Sequence, residues 1–75
     1  MQPSHIVVIG SSAGGPRILK ELFQGLPRLN GSIILVQHMP KFVNQSIADS
    51  LNEITGMDVV LASDGTILER GFCYI

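Results

Sequence analysis

Four short apolar runs rich in β-branched residues punctuate the chain, separated by stretches of a different period. Residues 5–10 (HIVVIG), 32–38 (SIILVQH) and 57–62 (MDVVLA) show no alternation of polar and apolar positions. A continuous run of this length predicts a strand buried on both faces, as in a parallel sheet. Residues 71–75 (GFCYI) read as a fourth strand. Between the first two runs, Ile18, Leu19, Leu22, Phe23 and Leu26 fall on one face of a helix. Pro16 suits its first turn, and Gly25 with Pro27 supplies its stop. Between the second and third runs, Val43, Ile47, Leu51 and Ile54 repeat at helical spacing, and Gly56 is placed to act as a left-handed C-cap. Asp64-Gly65 marks a turn before the last strand. The order β-α-β-α-β-β predicts an α/β fold built on parallel strands with right-handed crossovers.

Composition changes this picture in one respect. A chain of 75 residues buries only about 60% of its extended-chain surface, which calls for a polar exterior. Yet 45% of the residues are apolar and the mean hydropathy is +0.36. Two helices cannot cover both faces of four strands, and no helix follows the last one. The surplus therefore predicts apolar faces covered by something outside these residues, with 1–75 forming the N-terminal portion of a single larger α/β domain.

Charge and cysteine usage narrow the function classes. Five Lys and Arg against six Asp and Glu give a net charge of −1. The basic residues are scattered, so no electrostatic footprint for nucleic acid is present. No apolar run approaches the ~20 residues of a membrane span, and the first residues lack the basic start and apolar core of a signal peptide. Cys73 is the sole cysteine, which rules out a disulfide framework or a C-x-x-C metal pair and fits a reducing, cytoplasmic setting.

The candidate chemistry lies in VVIGSSAGGP, where Gly10-Ser11-Ser12-Ala13-Gly14 fits G-x-S-x-G with Ser12 at its centre. In that motif a sharp strand-to-helix turn lifts the serine Oγ above the sheet edge, and the glycines let the backbone pass closely. The predicted context, strand before and helix after, is present. Small residues are also common at any βα turn, so a purely structural turn is an equal alternative on pattern alone. No nucleotide cofactor is implied. A Walker A loop requires Lys-Ser/Thr where Pro16-Arg17 stand, and Ser12 occupies the second glycine of a dinucleotide fingerprint. Anion binding at the helix N-terminus, assisted by Arg17, is the competing functional reading; it would make the chain a non-catalytic half-domain that binds an anion or a partner.

A serine nucleophile needs a base. His38 ends the second predicted strand as Ser12 follows the first. Consecutive parallel strands ~4.8 Å apart would bring both to the carboxyl edge, where open α/β sheets place their ligands. His5 stands at the opposite end of the first strand. For the carboxylate that would orient the base, Glu21, Asp49 and Glu53 fall on polar helix faces. Asp58 starts a strand at the wrong edge, and Asp64 belongs to a turn. None of them is convincing as the third member.

Taken together, IGSSAGG and QHMP resemble the catalytic domain of the chemotaxis protein-glutamate methylesterases, the CheB family, from His5 to Ile75. The resemblance implies a cytoplasmic serine hydrolase with a doubly wound, mostly parallel, Rossmann-like three-layer sheet and no metal or other cofactor. It implies demethylation of glutamate methyl esters on the cytoplasmic helices of chemoreceptors, and in some members deamidation of receptor glutamines. Ser12 matches the nucleophile and His38 the base, with oxyanion stabilisation expected from backbone N–H groups such as those of Ala13 and Gly14. The catalytic Asp belongs to a later part of the family's domain. The receiver domain that regulates many members has no counterpart in these residues.

Overall fold

The computed structural model describes residues 4–11 and 15–75. The elements run β1 (Ile6–Ser11), α1 (Gly15–Phe23), β2 (Ser32–Gln37), α2 (Lys41–Asn52), β3 (Asp58–Val60) and β4 (Phe72–Tyr74). The strands form one sheet in the order β1-β2-β4-β3, and every pairing is parallel. The predicted succession of elements is therefore present, with β4 inserted between β2 and β3. All four strands thus point their carboxyl ends to one edge of the sheet.

Registered residues on neighbouring strands share a face. Ile33 pairs with Cys73, which pairs with Val59 on its other side, and Leu35 follows two residues after Ile33. These four are buried together with Leu19 and Phe23 of α1 and Ala48 and Leu51 of α2. Both helices thus cover the same face. The opposite face carries Val8, Ile34, Val36 and Val60, and Val8 and Val36 are 64% and 54% exposed. The expectation of strands buried on both faces is met on one side only. Within α1 the predicted apolar face is likewise split: Leu19 and Phe23 reach the core, whereas Ile18 and Leu22 stay exposed.

At the amino end of the bare face, the 61–71 connection folds back over the sheet. Tyr74 is buried there, its hydroxyl accepting from the Glu69 N–H at 2.8 Å and donating to the Ile67 carbonyl at 3.2 Å. Ser32 Oγ donates to the Glu69 carbonyl at 2.6 Å. The connection includes the predicted turn, closed by Thr66 N–H to Ser63 O at 3.1 Å, with Gly65 at φ 82°. No side chain tolerates that conformation as cheaply as glycine.

β3 is an edge strand, and an edge leaves backbone groups unpaired. Asn52, the last residue of α2, fills that role for Val59. Its Nδ2 donates to the Val59 carbonyl at 2.7 Å and its Oδ1 accepts the Val59 N–H at 2.8 Å. Gly56 departs from expectation. The α2 C-cap is Glu53 in the right-handed region, and Gly56 is absent from the positive-φ glycines. What Gly56 supplies is close approach, since a Cβ there would stand 2.7 Å from the Arg28 nitrogen.

Candidate functional site

The β1–β2 register runs from Ile6 opposite Ser32 to Ser11 opposite Gln37. Both strands therefore end side by side at the carboxyl edge. His38 is the residue after Gln37, and Ser12 is the residue after Ser11. Ser12, Ala13 and Gly14 lie outside the described residues. His5 lies before the start of β1, and at ~3.3 Å per residue the six-residue strand separates it from that edge by about 20 Å. Its ring instead meets Ser4, with Nδ1 3.0 Å from the Ser4 Oγ.

His38 is exposed and sits at the centre of a tight turn closed by the Met39 N–H donating to the Gln37 carbonyl at 3.0 Å. Such a three-residue turn is common where a strand gives way to a loop. The chain then enters α2 through Pro40, whose carbonyl accepts from the N–H groups of Val43 and Asn44. Pro40 offers no side-chain cap. Around the turn, Gln37 Nε2 donates to Asn44 Oδ1 at 3.1 Å, and Asn44 Nδ2 reaches the Met39 carbonyl at 3.4 Å. Neither Gln37 nor Asn44 was singled out by the sequence reasoning. The available signal was an amide seven residues from another across a strand end and the first turn of a helix.

The candidate carboxylates fall elsewhere. Asp58, at the amino end of β3, pairs with Arg28 at 2.7 Å. Asp49 accepts from Gln45 at 3.0 Å along the exposed side of α2. Arg17 is exposed in the first part of α1. Asp64 stands at the carboxyl edge, where a crevice of about 420 Å³ is lined by Met39, Lys41, Asn44, Ser63, Asp64 and Ile75 among others. Its lining meets the His38 turn at Met39 and includes neither His38 nor a residue of β1.

Among the described residues no group of His, Cys, Asp and Glu could hold a metal ion. No helix among them is long and apolar enough to cross a membrane. Cys73 is buried at the centre of the sheet, and desolvation pushes its thiol up to about 11. Deep burial and a raised pKa make it a packing residue rather than a nucleophile.

Comparison with known proteins points to one family. The family model described as CheB methylesterase matches residues 7–75. The protein-glutamate methylesterase/protein-glutamine glutaminase of Bacillus subtilis is 44% identical over 72 residues, 95% of this chain and 20% of that protein. Its counterpart in Halalkalibacterium halodurans is 44% identical over 71 residues, 93% of this chain and 20% of that protein. The crystal structure of the Thermotoga maritima CheB methylesterase catalytic domain superposes with a TM-score of 0.83 at 43% identity, covering 92% of this chain and 37% of that one. The chain spans about a fifth of the length of these curated relatives. The family model covers all but the first six residues, and the chain belongs to the CheB methylesterase family.

Proposed function

We propose that residues 1–75 are the N-terminal portion of a methylesterase catalytic domain acting on glutamate methyl esters of chemoreceptor cytoplasmic segments. Ser12 is its nucleophile and His38 its general base. The observation that carries this reading is the register, which ends β1 and β2 at Ser11 and Gln37 on the same edge, one residue short of Ser12 and His38. The exposed position of His38 leaves it open to a substrate.

The chemistry follows from those roles. His38 takes the proton of Ser12 Oγ as the oxygen attacks the side-chain ester carbonyl, forming a tetrahedral oxyanion. Backbone N–H groups of Ala13 and Gly14 stabilise that oxyanion, and one such donor typically contributes ~10²–10³ in kcat. Collapse breaks the bond to the methoxy oxygen. His38 returns its proton to that oxygen, and methanol leaves. Water then attacks the acyl-serine with His38 again as base, regenerating Ser12 and releasing the glutamate carboxylate. A receptor glutamine would follow the same course with ammonia as the leaving group. The carboxylate that orients His38 comes from a part of the domain beyond these residues, and the uncovered sheet face bearing Val8 and Val36 is where that part packs. A receiver domain acting on this site would belong to the same longer protein.

A fluorophosphonate probe tests the assignment. The full-length protein should become covalently labelled at Ser12, located by peptide mass spectrometry, and His38→Ala should abolish the labelling. Unlabelled Ser12 together with saturable phosphate binding that disappears in Arg17→Ala would replace the esterase with the anion-binding alternative.

A further inference from the structure

The two polar groups of Asn44 straddle His38 in sequence and hold the residues on either side of it. Oδ1 accepts from Gln37 Nε2 at 3.1 Å, and Nδ2 donates to the Met39 carbonyl at 3.4 Å. Between them the Met39 N–H closes the turn onto the Gln37 carbonyl at 3.0 Å. The three contacts form a clip joining the end of β2 to the first turns of α2, with His38 at its apex. No hydrogen bond among the described residues orients the His38 ring, so within them its place is set through its backbone.

The Gln37 amide makes the clip sensitive to Asn44. Gln37 is half-buried, and its Oε1 is buried with no partner among the described residues. The bond to Asn44 is therefore what holds that amide. Removing it would leave both ends of the amide without a partner among the described residues, which is costly for a polar group shielded from water. Swinging the side chain out to water is the cheaper course. The same substitution also removes the Asn44 Nδ2 bond to the Met39 carbonyl, the direct tie between α2 and the backbone of the turn. We propose that Asn44 is a positioning residue for His38, fixing the turn that presents the base at the sheet edge. The proposal rests on the esterase reading of His38, and its test separates the two.

The experiment measures methanol-release kinetics on a methylated receptor fragment with the full-length protein. Asn44→Ala should lower kcat by about 10- to 100-fold, the loss expected of a slightly misplaced catalytic group. The loss should fall on kcat more than on KM, as for a group that acts on the reaction through His38. Asn44→Asp keeps an acceptor for the Gln37 amide but sets a second acceptor against the Met39 carbonyl, and should recover only part of the rate. Asn52→Ala is the structural control. It removes both side-chain bonds to Val59 in the same helix and should lower Tm at least as much as Asn44→Ala while keeping kcat. Wild-type kcat in Asn44→Ala, or an equal loss of kcat in Asn52→Ala, overturns the positioning role and leaves the esterase reading intact. An inactive wild-type protein overturns the esterase reading instead. Amide exchange then still tests the clip, because Met39 should exchange about tenfold faster in Asn44→Ala if the clip holds the turn. Unchanged exchange would show that it does not.

Discussion

Cys73 illustrates how position decides chemistry at the level of one residue. Its side chain is 0% exposed and packs among Ile33, Val59 and the helix residues above them. Burial raises its pKa from 9.0 to about 11 by penalising the thiolate. A raised acid pKa means the unfolded chain loses this proton first, so the folded state holds more protons above pH 9. The contribution to stability is complete below pH 9 and is lost as pH rises from 9 towards 11. Denaturant midpoints should fall across that window, and should fall less in Cys73→Ala. At neutral pH iodoacetamide should leave Cys73 unmodified in the folded protein and alkylate it in urea. Rapid alkylation of the folded protein would contradict the burial. His38 is the counterpart case, an exposed side chain whose neighbours hold its backbone and leave its ring to the solvent edge.

The connection between β3 and β4 is the least regular element and the most heavily fastened. Two parallel strands are normally linked by a crossover helix. Here the 61–71 segment makes the return without one, held by Tyr74, Ser32 and the Gly65 turn. Tyr74→Phe should therefore destabilise the fold by about 1–2 kcal/mol by leaving the Glu69 N–H without its acceptor. Guanidinium titration measures that loss, and exchange protection should fall first within 61–71. An unchanged midpoint would show that the hydroxyl contributes nothing to holding the segment. This element also marks how far the sequence could be read. The helices were legible by their 3.6-residue spacing, the strands as continuous apolar runs, and the Asp64-Gly65 turn by its residue types, with Gly65 at φ 82°. The insertion of β4 between β2 and β3 was not legible, since strand order depends on contacts no local pattern encodes. The role of Gly56 was misread for a related reason. Its constraint is the Arg28 backbone 2.7 Å from where a Cβ would stand, from a residue 28 positions away.

At the scale of the whole molecule, two facts govern function. All four strands are parallel, so their carboxyl ends meet at one edge, and the His38 turn and the crevice lie there. Both helices cover one face of the sheet and leave Val8 and Val36 largely exposed on the other. The surplus of apolar residues announced that bare face from composition alone; the curated relatives are about five times as long, and we propose that the rest of such a domain packs there. Of the proposed site, Ser12 and His38 could be nominated from sequence because a motif and a strand end are local features, and β1 and β2 end side by side one residue before them. The Gln37–Asn44 clip was not, because an amide pair becomes visible only when the strand end and the helix start are set side by side. The central claim is that this edge carries serine-dependent ester hydrolysis. Its most direct test is methanol release from a methylated chemoreceptor fragment by the full-length protein, wild type against Ser12→Ala. Release by the wild type and a fall of at least about 10³ in the variant are expected, the order for a triad that loses a member. Wild-type rates in Ser12→Ala would contradict that claim.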